Sequence, residues 1–428
     1  MAAAAPERRL ETPKRETLLA HYANAEVCSK VILVVESAVG LVALAWVASR
    51  PLGMLAWLAF GLGSLGVFRW FLQYIFLNKK RLEDIRPDAR FGDHSRESLV
   101  RVVDDVFRRL GLRRQAAPVF LTGTKDVNAH ALRCELWPGL HLFNGVFLNR
   151  SIIHLLDERE LASVVGHELG HVFPYAPLLS RCYAVHALFA GLVSMAAAAA
   201  YPQPGVALVV PFAVLWLLDL AISFPHHRLS RGIEFLCDDY GAQAAGLLPA
   251  LSGELKIAVE QETRQRLLLR TLEARRDGTN VSLSDIIEAY DEAVPYGKVD
   301  PEAFASDFQK LTVQQQRARQ GISLGGFLRH LQGSDTAQAN EWAQQEIDKL
   351  NLIESLPLLP IDYAPFLQGS QKWSLEIAER LATTIENVPT AVLVRAALEI
   401  DDRESTHPSP SRRILFLWRN RSVYPGAT

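Results

Sequence analysis

Residues 164–171 read Val-Val-Gly-His-Glu-Leu-Gly-His. His167 and His171 lie one helical turn apart, so on a helix both imidazoles project from one face and can bind one metal ion. Glu168 stands beside them, a carboxylate placed to take a proton from a water activated by that ion. One zinc ion per chain is the cofactor that this H-E-x-x-H pattern implies. The pattern alone does not decide the matter, since a surface helix can carry two His and a Glu by chance. Its setting does.

Asp157-Glu158-Arg159-Glu160 has the form of an N-cap with an acidic N3 residue, a helix start. Leu161, Val164, Val165 and Leu169 then recur at helical spacing, and Pro174 stops the run. A zinc ion held by two His needs a third protein ligand, with the fourth position left for water. Glu234, in Ile233-Glu234-Phe235-Leu236-Cys237-Asp238-Asp239, can supply it. Asp238, one turn on, can accept the Nδ1–H of a ligating His and fix its tautomer. Solvated helices carry the same E-x-x-x-D spacing, so spacing alone leaves both readings open.

The chain has 428 residues and a net charge of −2, so nothing suggests general nucleic-acid binding and no nucleic-acid partner is expected. Hydrophobic residues make up 49%, high for a purely soluble protein. Val31–Val47 and Leu52–Phe68, the latter continuing to Leu77, are each long enough to cross a bilayer and are joined by a short turn. Tyr183–Ala200 and Val206–Phe224, joined by Tyr201-Pro202-Gln203-Pro204-Gly205, form a second such pair. Basic residues flank both pairs on their outer sides: Arg8, Arg9, Lys14 and Arg15, then Lys79, Lys80 and Arg81, and later Arg181, Arg228 and Arg231. The positive-inside rule puts both termini and the His-Glu site on the cytoplasmic side of a multi-pass membrane protein. A bacterial inner membrane and an organelle membrane both suit that charge pattern, and the bacterial inner membrane is the one expected.

Glu36 and Asp219 are costly inside such spans. Either can face a cavity or make a helix–helix hydrogen bond. His226-His227 points two ways on a helix and is a poor metal pair. The four cysteines form no C-x-x-C pair and imply neither a disulfide framework nor a thiolate zinc site, and Cys237 reads as an inert buried thiol.

Residues 95–112 read as an amphipathic helix ended by Gly111. Strand-like runs follow at 118–121, 127–132 and 140–148, the last broken by a turn or bulge at Asn144-Gly145. Residues 252–400 read as soluble helices: one carrying Leu255, Val259 and Leu267 to Leu269, one with Ile286, Ile287 and Tyr290 from a Ser284 cap, and one with Trp373, Ile377, Leu381 and Ile385. Leu356–Pro360 and Ala364-Pro365 read as an irregular connector.

Taken together, H-E-L-G-H, an apolar hairpin and E-F-x-x-D resemble the HtpX-like and CaaX-prenyl-protease-like family of integral-membrane zinc metallopeptidases (gluzincins). Val127-Asn128-Ala129-His130-Ala131 is similar to the family's N-A-F-A strand, with His130 in place of the aromatic. Thr406-His407-Pro408-Ser409, followed by Arg413, resembles its H-P-P motif with Ser409 for the second proline. The likeness covers roughly residues 30–250 and 400–420. It implies that Asn128 and Ala129 bind an extended peptide by strand addition, that His407 donates to the oxyanion as a catalytic group, and that Arg413 braces that region.

The expected fold is a mainly α membrane protein: two transmembrane helical hairpins plus an α+β zincin-type domain with a small sheet and a helical insertion. Its parts are a cytoplasmic N-terminal segment (1–30), hairpin 1 (31–77), the sheet and H-E-x-x-H helix (78–182), hairpin 2 (183–224), a second metal-ligand helix (225–251), the insertion (252–400) and a C-terminal return to the site (401–428). The expected partners are a polypeptide substrate, itself a membrane protein, and the lipid bilayer. The expected role is cleavage of membrane or membrane-associated proteins in quality control. Three other readings stay open: a non-proteolytic scaffold on a protease fold, a CaaX-type processing protease, and a transporter using Glu36 and Asp219.

Overall fold

The structure is a computed structural model that describes residues 12–65, 74–75, 78–123, 128–276, 287–290, 294, 359–360, 363–367, 373–387, 391–392 and 407–426. The first helix, α1 (Arg15–Ala48), starts well before the apolar run. Its first turns are held at the far end of the molecule: Leu18 packs beside Tyr175 and Ile233, and Arg15 Nε lies 2.8 Å from Asp239 Oδ1. Helix α2 (Met54–Gly63) follows; residues 66–73 of the second apolar stretch lie outside the described residues.

Strand β1 (Lys79–Arg81) and the small hairpin β2 (Arg90–Phe91) and β3 (His94–Ser95) lead into α2's successor, α3 (Arg96–Arg109). Ser95 caps α3 by accepting from the Ser98 N–H at 3.1 Å. Strands β4 (Val119–Thr122), β5 (Ala129–Trp137) and β6 (Leu140–Asn149) complete a sheet of order β1-β4-β6-β5. The β4–β6 pairing is parallel and the others antiparallel, which leaves β5 at an edge.

The expected break at Asn144-Gly145 is not there: β6 runs through it. Gly145 is present for close approach, since a Cβ there would sit 2.8 Å from the Phe120 ring of the neighbouring strand. The irregularities fall instead in β5, at Cys134/Glu135 and Glu135/Trp137, and the hairpin turns at Pro138-Gly139, where Gly139 has φ +87°.

A short α4 (Arg150–Leu155) precedes α5 (Glu158–Val172), the H-E-x-x-H helix. Its capping box is complete: Asp157 accepts from Glu160 N, and the Glu160 carboxylate accepts from Asp157 N at 2.9 Å. After α6 (Leu178–Arg181) come α7 (Tyr183–Ala200) and α8 (Pro204–Ala245), then α9 (Leu247–Arg276). The run read as hairpin 2's second arm and the helix bearing Glu234 are thus one continuous helix. The helix α9 also crosses residue 252, where the insertion was expected to begin.

Beyond α9, Leu359–Pro360 forms β7, Ala364–Leu367 forms α10, Leu375–Asn387 forms α11 and Ala391–Val392 forms β8, which pairs with β7. The stretch read as an irregular connector therefore holds short regular pieces, made by a distant partner strand that no local pattern announces. Tyr290 is buried, with its hydroxyl donating to Glu260 at 3.0 Å, whereas Ser284 and Ile286 lie outside the described residues. Helix α12 (Pro410–Arg419) closes the chain.

One core joins α3, the inner face of the sheet and α5 through Val103, Phe107, Val146, Leu148, Val165 and Leu169. A second joins the end of α8 to α9, α11 and α12 through Leu236, Leu255, Leu381, Leu415 and Phe416. The metal helix lies between them. Two helices, α1 and α7, are long and apolar enough to cross a membrane; α2 and the start of α8 are shorter apolar pieces.

Candidate metal centre

Helices α5 and α8 cross with almost no side chain between them. A Cβ at Gly241 would lie 2.5 Å from the Ser163 carbonyl oxygen, and one at Gly166 would lie 2.9 Å from Gly241 Cα. Cys237 fills the space over Gly170 and is fully buried, an inert packing thiol whose ionisation burial pushes well above the ordinary range. This contact sets Glu234 and Asp238 of α8 against His167 and His171 of α5.

The donor atoms converge. His167 Nε2 and His171 Nε2 are 3.2 Å apart, and the Glu234 oxygens lie 3.6 Å and 3.5 Å from them. A tetrahedral ion with bonds of about 2.0–2.1 Å has ligand–ligand edges of about 3.3–3.4 Å. The three side chains therefore fit zinc, and they form the one group of metal-binding spacing among the described residues.

Asp238 Oδ1 accepts from His167 Nδ1 at 2.8 Å, which fixes the tautomer and turns Nε2 toward the site. Arg413 of α12 holds Asp238 in turn: its Nε donates to Asp238 Oδ2 at 2.7 Å and its Nη2 to Oδ1. The same guanidinium reaches Glu254 Oε1 of α9 at 3.0 Å. Glu254 was missed by sequence reading, and nothing in its neighbourhood in the chain marks it out from other helix carboxylates. Asp239, next to Asp238, faces away and ties Arg15 and the Tyr424 hydroxyl (3.0 Å), so adjacent carboxylates serve the site and the brace around it. His407 Nδ1 lies 3.0 Å from Glu234 Oε2, on an exposed side chain at the site's mouth.

Burial and neighbours set the charges. Burial pushes Glu168 up to about 7 against the pull of His167. Burial also works against charge on His167, but its hydrogen bonds to Asp238 and Glu234 prevail and raise it to about 10. Burial and the His167 cation lower His171 to about 4. Glu234 and Asp238 stay well inside the ionised range because His167 and Arg413 outweigh their burial. Burial raises Glu254 to about 7. The cluster is rich in carboxylates and suits an added cation.

A cleft of about 590 Å³ opens over these groups, bounded on one side by β5 from Asn128 to Arg133. The Ala129 N–H is held by its neighbour's Asn128 Oδ1 at 2.9 Å, and the Asn128 carbonyl accepts from Asn149 N at 3.2 Å. His130 stacks on Phe147 with 4.9 Å between ring centroids, and burial lowers its basicity. Glu36 is buried with its carboxylate 2.5 Å from His186 Nδ1, whose other nitrogen meets the Leu179 carbonyl at 3.0 Å; it thus joins α1 to α7. The side chains of Asp219, His226 and His227 lie outside the described ones.

Two His from one helix and a Glu from a second, beside an edge strand, form a group that could hold a metal ion. Residues 93–273 match the family described as peptidase family M48. The chain is 29% identical over 172 residues to a Protease HtpX homolog of Pyrobaculum calidifontis, a stretch that is 37% of this chain and 46% of that protein. It is 28% identical over 175 residues to one of Sulfurihydrogenibium sp., covering 36% and 53%. The matched stretch thus spans about half the length of these relatives. No solved structure matches the chain. Residues 93–273 thus resemble peptidase family M48, and the relatives matched there are Protease HtpX homologs.

Proposed function

We propose that the protein is a zinc-dependent endopeptidase anchored in a membrane by two helical hairpins, with its cleft on the cytoplasmic side. The observation that carries the reading is the convergence of His167 Nε2 and His171 Nε2, 3.2 Å apart, on the Glu234 carboxylate, whose Oε2 lies 3.6 Å from the first and Oε1 3.5 Å from the second, with Glu168 beside them in an open cleft. His167, His171 and Glu234 hold the metal. Zinc supplies a Lewis acid that polarises the peptide carbonyl and makes water acidic enough to attack near neutral pH.

The chain's own residues do the rest. Glu168, raised by burial to about 7, accepts the proton of the attacking water and returns it to the leaving amine. Asp238, clamped by Arg413, keeps His167 in the tautomer that presents Nε2. His407 stands at the mouth as the donor to the developing oxyanion. The edge of β5 aligns the substrate as an added strand, with Asn128 releasing the Ala129 N–H to it. The membrane half of the reading rests on large apolar side chains left exposed on α1, α2 and the first half of α8, such as Val42, Trp57 and Phe212. Its substrates are membrane or membrane-associated polypeptides, and protein quality control is the role this suits.

The test is cleavage of an unfolded polypeptide by detergent-purified protein, wild type against Glu168→Gln, with and without stoichiometric zinc. Zinc-dependent cleavage lost in Glu168→Gln is the expected outcome. Zinc bound by both proteins with cleavage by neither returns the scaffold reading. Zinc bound by neither removes the ligand assignment.

A further inference from the structure

Among the described residues, the large apolar side chains that stay exposed fall in two places, with Val423 the exception. One is the set of apolar helices and the residues next to them. The other is the tip of the β5–β6 hairpin, where Leu136, Trp137, Leu140 and Leu142 are 36–54% exposed. The run 136–143, Leu-Trp-Pro-Gly-Leu-His-Leu-Phe, contains no Asp, Glu, Lys or Arg. In water such a strand end would be an adhesive edge, and proteins blunt such edges with charge.

From these features we infer that the hairpin tip is a membrane-insertion element, seated in the headgroup–acyl boundary of the bilayer that the apolar helices cross; the inference rests on the membrane reading above.

Three observations select lipid as the occupant. First, the tip is continuous with the apolar helices: β5 packs against α6 and α7, and Glu135 Oε2 lies 3.3 Å from Arg181 Nε, two residues before α7 begins. Second, the reach fits. Two residues of strand, Leu136 and Trp137, and the turn after them lie beyond Glu135, a reach of about 7–10 Å, and interfacial elements sink about 5–10 Å. Third, the charge at the base fits. Arg133 and Arg181 flank the buried Glu135 carboxylate and place two guanidinium groups where lipid phosphates would lie. Trp137 beside Pro138-Gly139 is the residue type that settles at a lipid–water boundary.

The consequence concerns substrates. The same strand β5 forms one wall of the cleft, so an inserted tip holds the cleft's open edge at the bilayer surface. The favoured substrates are then segments of membrane proteins just outside the bilayer, which reach the edge strand without crossing open solvent.

The experiment uses the full chain with Cys28→Ser, the other three cysteines being buried. A nitrobenzoxadiazole label is attached at Leu140→Cys, at Val42→Cys on α1 as the lipid reference, or at Arg108→Cys on α3 as the water reference, and each protein is reconstituted in phosphatidylcholine vesicles. The expected result is quenching of the Leu140 label by nitroxide high on the acyl chain, comparable with Val42, and iodide quenching severalfold weaker than at Arg108. Iodide quenching at Leu140 with Val42 in lipid overturns the inference and leaves the membrane reading intact. A Leu140 label shielded from both quenchers marks a protein contact and also overturns it. Iodide access at Val42 overturns the membrane reading and the inference with it.

A second variant, Trp137→Asp with Leu140→Asp, should lose cleavage of a membrane-anchored substrate severalfold and keep cleavage of a soluble unfolded one. Equal loss of both would make the tip a structural element.

Discussion

Two helix crossings in this molecule are built alike and used differently. At the metal centre, α5 and α8 meet at Gly166 and Gly241; in the apolar part, α2 and α7 meet at Gly63 and Gly191, where a Cβ on Gly63 would lie 2.8 Å from Gly191 Cα. Both bring backbones into contact. Around the first, charged side chains are buried in pairs and apolar ones fill the core. Around the second, valines and leucines stay exposed while the polar groups, Glu36, His186 and Ser194, are buried. That inversion fits the membrane reading proposed above, since small residues at close crossings give the packing that hydrophobic burial cannot give in lipid.

The largest effect should come from breaking the first crossing. Gly241→Ala drives a Cβ to within 2.5 Å of the Ser163 carbonyl, which is backbone and cannot move alone. A loss of about 3 kcal/mol, read by thermal unfolding, with zinc stoichiometry falling alongside, is expected. Gly191→Ala should cost less, because its closest neighbour, Ser64 Oγ at 2.1 Å, is a side chain that can turn away. Equal losses would mean that the two crossings are equally rigid.

Next in size is Arg413→Met. It strips the partner from Asp238 and Glu254 together, and the stability lost is smaller because Glu254, raised by burial to about 7, can take up a proton in its place. Zinc affinity should fall about 10–100-fold as His167 loses its orienting carboxylate's support, measured by competition with a chelating dye. Arg413→Lys should recover little, since an ammonium cannot make the two-point contact. Unchanged affinity would detach Asp238 from the metal.

The smallest effect is one of pH. Burial lowers His130, so the folded chain resists protonation while the unfolded chain takes up a proton near pH 6.5. The unfolded state then binds more protons below that pH, and stability falls as the solution is acidified through it. In His130→Phe the stack on Phe147 remains and the proton is gone, so its stability should change less between neutral pH and pH 5. Chemical denaturation at a series of pH values checks this.

The parts legible in the sequence were those with local spacing: the capping box before α5, the ligand pair on one helical face, and the Glu234–Asp238 turn that the structure brings to that face. The α3 helix and the α7 run were likewise visible from periodicity and length. What escaped depends on distant partners. Glu254 acquires meaning only through Arg413, 159 positions away in the chain but adjacent in space. Gly145 looked like a turn because nothing local reveals the Phe120 ring above it. The continuity of α8 was hidden by Pro225 and the basic residues near it, which read as an ending.

That continuity makes α8 a lever. It runs 42 residues, Pro204–Ala245, and carries both the apolar segment and Glu234, with Pro225 between them. A proline inside a helix removes one backbone hydrogen bond. Glu234 stands nine residues beyond Pro225, an arm of about 13 Å at 1.5 Å per residue. A bend of about 10° there would carry its carboxylate about 2 Å, ten times the tolerance of about 0.2 Å on a metal–ligand distance. A change of angle at Pro225 would thereby move Glu234 out of reach of His167 and His171.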